Sequence, residues 1–189
     1  MANYREFSVF DLLKFANVNL DPFTETYSSS YYMQYMSMWP EYMRVAESPV
    51  LTVFASKADS VLGGRMMGYM IAKSEGYGEN WHGHVTALSV APEYRRMGLA
   101  SRLMLGFEDT SERQRCYFAD LFVRASNELG HSVYTKLGYI IYRRVLNYYS
   151  GNDDGEDAFD MRKALSADKT RRSVKPITRP VNVDELEFT

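Results

Sequence analysis

Six consecutive residues, Arg95-Arg96-Met97-Gly98-Leu99-Ala100, carry the most readable chemistry in this chain. They follow the apolar run Val85-Thr86-Ala87-Leu88-Ser89-Val90 and the turn Ala91-Pro92-Glu93-Tyr94, and they lead into Ser101-Arg102-Leu103-Met104-Leu105. A strand passing through a basic, glycine-containing loop into a helix makes an anion site. The first helical N–H groups have no intrahelical partner, and the helix dipole adds partial positive charge. Gly98 lets the backbone approach a ligand, and the arginines add charge-assisted contacts. A pyrophosphate suits this pattern. It is neither the G-x-G-x-x-G of a dinucleotide fold nor the G-x-x-x-x-G-K-[ST] of a nucleotide-hydrolysing loop. The plainer reading is a solvated helix start with surface arginines.

Two further groups invite a chemical reading. His82 and His84 share one face of a strand, but two side chains are too few for a metal site, and no metal is expected. Cys116 is the only cysteine. It has no local basic or helix-start setting that would make it a nucleophile, and its solitude fits a reducing compartment.

These residues need elements to hold them. Asn3–Phe7 reads as a strand, and Ser8 and Asp11 offer caps for a helix to about Ala16. Pro22 breaks that helix within Asn19–Phe23. An aromatic helix should follow and stop near Ser48-Pro49, with Tyr32, Met36, Trp39 and Met43 on one stripe and Tyr31, Tyr35 and Tyr42 widening it. That width suits either a thoroughly buried helix or a docking face. Val50–Ala55 and Met66–Ala72 read as a hairpin, His84–Val90 as a central strand and Gly98–Arg113 as a helix. Tyr117–Arg124 reads as a strand and Asn127–Leu137 as a helix ended by Gly138. Tyr139–Tyr149 and Ala158–Arg162 close the series as strands. From about Ser166, Lys169, Arg171, Arg172, Lys175 and Arg179 alternate with Pro176 and Pro180. This divides the chain into a domain over 1–165 and a tail over 166–189, disordered alone or ordered against a partner.

The basic loop matches R/Q-x-x-G-x-G/A, and Asn127, Tyr134, Gly138 and Tyr139 match N-x(6)-Y-x-x-x-G-[FY]. With the order of elements, these motifs resemble the GNAT N-acetyltransferase superfamily. Asn19-Leu20-Asp21-Pro22-Phe23-Thr24-Glu25-Thr26-Tyr27, Trp39-Pro40-Glu41-Tyr42, Trp81-His82-Gly83-His84 and Ala158–Leu165 narrow the resemblance to catalytic subunits of N-terminal acetyltransferase B complexes. The implied fold is α/β, with a mixed, mostly antiparallel sheet of about seven strands flanked by about four helices.

The implied reaction is acetyl transfer from acetyl-CoA to the α-amine of Met-Asp, Met-Glu, Met-Asn or Met-Gln N-termini. An α-amine titrates near ~8, so a useful fraction is already neutral. Arg95, Arg96, Met97, Gly98, Leu99, Ala100 and Ser101 would hold the pyrophosphate. Leu88, Ser89 and Val90 would pair with the pantetheine arm as an added strand does. Asn127 would bond the cofactor or simply cap a helix. Tyr134 would be the general acid at sulfur, its bland alternative a buried helix tyrosine. His84 would take up the amine proton or, as favoured here, recognise the second residue, because one imidazole N–H can donate to the C=O common to Asp, Glu, Asn and Gln. The resemblance places Phe23, Glu25, Tyr27, Thr86, Tyr148 and Tyr149 around the peptide. It also implies a large helical auxiliary subunit, a heterodimer bound to the ribosome through it, and a docking role for the aromatic helix. A lysine or small-amine acetyltransferase and a non-catalytic acetyl-CoA-binding module are the alternatives.

Composition sets the outer limits. The chain has 189 residues, 46% hydrophobic and 24% charged, with a net charge of −2. That is room for one full core and gives no electrostatic footprint for nucleic acid. No apolar run approaches a membrane span and no signal peptide precedes the first strand, so the cytoplasm is expected.

Overall fold

The computed structural model describes residues 2–19, 24–49, 64–149 and 155–186. Among the described residues seven strands, β1 (Asn3–Glu6), β2 (Arg44–Glu47), β3 (Met66–Glu75), β4 (His82–Val90), β5 (Phe118–Arg124), β6 (Ile140–Tyr149) and β7 (Glu156–Ala164), form one sheet in the order β1-β2-β3-β4-β5-β7-β6. The contacts gather into two units, Met1–Ala72 with Ala87–Phe107, and Lys73–Thr86 with Glu108–Thr189.

In the first unit, β1 (Asn3–Glu6) pairs antiparallel with β2 (Arg44–Glu47), and β2 pairs antiparallel with β3 (Met66–Glu75). The expected first helix is a 3-10 helix, Val9–Asn17. The Asp11 carboxylate starts it by accepting from the Ser8 N–H at 2.8 Å and is itself held by Arg5 at 2.7 Å. Helix α1 (Ser29–Met38) sets Tyr32 against Phe15 at 5.1 Å, and Phe15 lies 4.7 Å from Tyr69. Burying such rings is the main favourable term for this unit, about 1.5–3 kcal/mol for each large apolar side chain.

The aromatic helix is much shorter than the sequence suggests. It ends at Met38, and Arg44–Glu47, expected within it, is strand β2. Pro40 is the cause. A proline restricts the residue before it, and Trp39 sits at φ −140°, ψ 53°, outside helical space. Tyr32, Met36, Trp39 and Met43 therefore do not form one helical stripe. Tyr32, Tyr35 and Met43 are buried, whereas Met33 and Met38 are exposed. The expected strand Val50–Ala55 lies outside the described residues.

In the second unit, the start of β4 (His82–Val90) pairs in parallel with β5 (Phe118–Arg124), with His84 opposite Asp120. Strand β7 (Glu156–Ala164) lies antiparallel between β5 and β6 (Ile140–Tyr149). Helix α2 (Leu99–Arg113) connects β4 to β5, and α3 (Glu128–Lys136) connects β5 to β6. Gly138, at φ +92°, follows α3 in the left-handed conformation that suits glycine at a helix exit.

The basic tail is ordered over 166–186 and lies along β6. Ile177 N–H donates to Tyr142 O at 2.7 Å, Val181 N–H to Arg144 O at 2.9 Å, and Leu146 N–H to Val181 O at 2.9 Å. Val181 is buried with Val145 and Ala158. Asp168 fixes the turn before it, accepting from the N–H of Arg172 at 3.1 Å and of Ser173 at 2.9 Å. Backbone pairing to an edge strand holds this segment, so its poor apolar periodicity does not prevent order. No helix among the described residues is long and apolar enough to cross a membrane.

Candidate functional site

The first unit carries the anion cradle. Strand β4 ends at Val90, a short 3-10 turn follows over Pro92–Tyr94, and α2 starts at Leu99. Between them Arg96 (φ 63°) and Gly98 (φ 76°) both adopt left-handed backbone conformations. Such turns aim successive N–H groups into one concavity, a nest suited to anions. A Cβ on Gly98 would meet nothing within 4 Å, so this glycine serves backbone conformation and keeps the loop open. Arg95, Arg96 and Met97 are exposed, and Arg95 Nε donates to Val90 O at 3.3 Å. Leu99 is buried, anchoring the helix start, while Ala100 and Ser101 are half-buried. The residues expected to hold a pyrophosphate are thus contiguous on one loop and one helix start, and their geometry fits that group.

Ser89 is buried and its hydroxyl lies 3.1 Å from that of Thr24, which ties the loop before α1 to β4. A Cβ on Gly68 would lie 2.6 Å from Ser89 O, so β3 and β4 approach too closely there for a side chain. Leu88 and Val90 are half-buried. Glu25 is exposed in the loop before α1, and Tyr27 stacks on Tyr31 at 4.5 Å. Phe23 lies outside the described residues.

The second unit gathers the imidazole and phenol groups. His84 is buried, and its Nδ1 lies 2.8 Å from Asp120 Oδ1. A carboxylate only accepts, so Nδ1 carries the proton. His82 Nδ1 donates to Asn80 O at 2.6 Å, leaving Nε2 3.6 Å from Asp120 Oδ2 and 3.7 Å from Glu75 Oε1. Burial opposes a charged His82, but Asp120 and Glu75 outweigh it and raise its pKa. Burial likewise opposes the Glu75 charge, yet His82 and Lys73 bring its carboxyl down to about 2. Glu75, His82 and His84 offer ligand atoms within 4.8 Å of one another. Their charges are matched within the cluster and by Lys73, so it forms an ion-pair network across β3, β4 and β5.

Phe122, which the sequence did not single out, links this cluster to the terminal tyrosines. Its ring lies 5.7 Å from His84 and stacks on Tyr148 at 4.6 Å. Tyr149 donates to Phe122 O at 3.2 Å and lies beneath the Arg124 guanidinium at 4.1 Å. Asn147, at φ 50°, marks the irregularity in β6 just before the two tyrosines. Thr86 is half-buried further along β4.

Tyr134 lies on α3, half-buried by surface exposure and edge-on to Tyr139 at 6.2 Å. Its hydroxyl is nonetheless pushed up to about 12 by burial, because neighbouring groups surround it even where part of the ring meets solvent. Asn127 caps α3, its Oδ1 accepting from Gly130 N–H at 2.9 Å. A Cβ on Gly130 would meet Asn127 and Val123 at 2.9–3.0 Å, so the cap and this glycine fit each other.

The Acetyltransferase (GNAT) family profile matches residues 14–139, spanning the cradle, the imidazole cluster and Tyr134. The N-terminal acetyltransferase B complex catalytic subunit NAA20 of Arabidopsis thaliana is 53% identical over 189 residues, covering 100% of this chain and 99% of the relative. The chain belongs to the GNAT acetyltransferases, among N-terminal acetyltransferase B catalytic subunits. N-alpha-acetyltransferase 20 of Dictyostelium discoideum is 51% identical over 96% of each chain. The crystal structure of Chaetomium thermophilum NAA20 with a bisubstrate analogue superposes with a TM-score of 0.82 at 35% identity, covering 95% of this chain and 96% of that one. An N-terminal acetyltransferase B complex bound to a bisubstrate inhibitor gives 0.79 at 37% identity, covering 98% and 99%. As in those GNAT structures, a seven-stranded, mostly antiparallel sheet carries the helices.

Proposed function

We propose that this chain is the catalytic subunit of a cytoplasmic N-terminal acetyltransferase B complex, acetylating the α-amine of Met-Asp, Met-Glu, Met-Asn and Met-Gln termini. The observation that carries this reading is 53% identity to a plant catalytic subunit along the entire chain. The left-handed pair Arg96 and Gly98 ahead of α2 supports acetyl-CoA as donor, since its pyrophosphate suits a nest at a helix start. Bound there, the donor supplies a thioester carbonyl.

The protein's residues supply the rest. Glu25 and Tyr27 hold the peptide's first groups from the loop before α1, and Tyr148 and Tyr149 grip its backbone. The amine attacks in its neutral form, and the N–C bond forms as the C–S bond breaks. The amine proton leaves through water, and the sulfur needs a donor. Tyr134, titrating at about 12, stays protonated through the neutral range. A thiol titrates near ~8.5, so complete transfer from the phenol is uphill by roughly 4–5 kcal/mol. Tyr134 therefore serves as a hydrogen-bond donor to the developing thiolate and gives up its proton only as another arrives. His84 acts at the peptide's second residue or takes up the amine proton.

Val9, Phe10 and Leu13 are 50%, 64% and 78% exposed on the first 3-10 helix. An apolar patch of this kind suits a partner better than solvent. With Met33 and Met38 exposed on the aromatic helix α1, these side chains are offered to a helical auxiliary subunit, through which the complex meets the ribosome.

The test is mass spectrometry of peptide N-termini after incubation with the chain and its co-purified partner. Acetyl groups on Met-Asp, Met-Glu, Met-Asn and Met-Gln termini are expected. Modification of internal lysines with those termini untouched would overturn the reading. Acetyl-CoA binding without turnover would favour a non-catalytic module.

A further inference from the structure

Tyr148 and Tyr149 end β6, where its pairing to β7 is disturbed. The register slips between Val145 and Tyr149, and Asn147 stands there at φ 50° with its N–H donating to Asp157 Oδ1 at 2.9 Å. A ladder interrupted in this way re-aims the side chains that follow, and packing must then hold them. Phe122 stacks on Tyr148 at 4.6 Å, and Tyr149 lies edge-on to Tyr148 at 5.0 Å with its hydroxyl donating to Phe122 O at 3.2 Å. All three rings also pack against a buried cluster of Val145, Ala158 and Val181. Val181 belongs to the tail and is 2% exposed. Leu186, also in the tail, packs against the same cluster.

The tail is shaped to deliver these two residues. Val181 N–H donates to Arg144 O and Leu146 N–H donates to Val181 O, both at 2.9 Å, which seats Val181 just ahead of the irregular stretch of β6. The chain then turns. The Glu185 carboxylate accepts from Arg179 at 2.7 Å and from the Asn182 N–H at 2.9 Å, closing a capping box on the 3-10 turn Val183–Glu185. Leu186 follows that turn and reaches the cluster. We propose that Val181–Leu186 is a positioning element of the peptide site, with Val181 and Leu186 holding Phe122, Tyr148 and Tyr149 in the arrangement that receives the peptide backbone. This rests on the function proposed above and deepens it. The tail acts through the rings and is asked for no contact with substrate. With the packing behind them shortened, the rings gain rotamers that peptide binding must then order, at a cost in affinity. Chemistry and cofactor binding are left alone, because neither Tyr134 nor Arg95–Ser101 belongs to this cluster.

The experiment compares the wild-type heterodimer with Leu186→Ala, Glu185→Ala and Leu186→Met heterodimers on a Met-Asp peptide, well below the melting transition. Leu186→Ala removes the packing, and Glu185→Ala removes the turn that delivers it. In both, the peptide KM should rise about three- to tenfold, the scale of ordering one side chain on binding. The kcat and the acetyl-CoA affinity should be unchanged. Leu186→Met restores the apolar volume and should return KM close to wild type. Simple loss of folded enzyme would behave otherwise, lowering the apparent kcat at constant KM. In 13C-tyrosine spectra of the same heterodimers, the Tyr148 and Tyr149 signals should shift in Leu186→Ala and return in Leu186→Met.

An unchanged peptide KM, a loss confined to kcat, or a Leu186→Met variant as impaired as Leu186→Ala would overturn the proposal. Should the alanine variants fail to assemble, the milder Leu186→Val decides, with a KM rise of about twofold for one methylene removed and an unchanged KM overturning the proposal. If the wild type ignores Met-Asp peptides, the functional reading fails and the tail's part in recognition fails with it. If the wild type acetylates them and the Tyr148 and Tyr149 signals do not move in Leu186→Ala, the tail's role alone fails.

Discussion

The two units differ in how their functional groups are assembled. The first holds its anion cradle on one uninterrupted stretch, Arg95–Ser101, where strand, loop and helix start follow one another. The second collects Glu75 from β3, His82 and His84 from β4, Asp120 and Phe122 from β5, and Tyr148 and Tyr149 from β6. A contiguous site depends on local backbone conformation. A collected site depends on strand register, where a shift of one residue turns side chains to the opposite face. Substitutions in the cradle should therefore act on cofactor affinity, and those in the collected site on turnover, recognition or stability.

Tyr134→Phe makes the widest separation between the two. It should lower kcat by about 100-fold or more while leaving acetyl-CoA affinity unchanged, measured by steady-state kinetics and calorimetry. An unchanged kcat would remove Tyr134 from the chemistry. Gly98→Val should act in the opposite sense. A β-branched residue at φ 76° is strained by about 1–2 kcal/mol, so acetyl-CoA affinity should fall about tenfold with kcat at saturation preserved. Loss of turnover alone would break the division of labour.

Smaller effects separate stability from function within the second unit. Val181→Ala removes buried methyl groups against Val145 and Ala158, a loss of about 1–2 kcal/mol. The melting temperature should drop by about 2–8 °C, with cofactor affinity unmoved. The gentlest test concerns acid. Glu75 titrates at about 2 in the folded chain against a usual 4.5, so below 4.5 the unfolded chain binds the extra proton. Its contribution to stability is complete above pH 4.5 and is lost as the pH falls towards 2. Glu75→Gln should flatten that part of an acid-unfolding curve, and an unchanged slope would detach Glu75 from the His82 network.

How much of this was legible in the sequence follows the same contrast. Arg95–Ala100, the Asn127 cap and the Gly138 exit were readable because each is governed by neighbours in sequence. The end of α1 was missed because the aromatic run continues past Trp39, although Pro40 carried the signal. The tail reads as disordered alone or ordered against a partner because its Lys, Arg and Pro content hides Ile177 and Val181, the residues whose N–H groups bond to β6. Asp120, Glu75 and Phe122 were not singled out. Their meaning arises only when α2 returns the chain so that β5 aligns beside β4, and no local pattern records that register. The carboxylate that accepts from His84 Nδ1–H likewise lies 36 positions away in sequence.

The strand order leaves β1 and β6 as the two rims of the sheet. Residues 177–181 already sit along the β6 rim, so a foreign chain seeking main-chain hydrogen bonds there would first have to peel them off. The carboxyl-terminal segment thus guards the protein against fibrillar stacking on that side, and clipping it would be felt first as a tendency to clump.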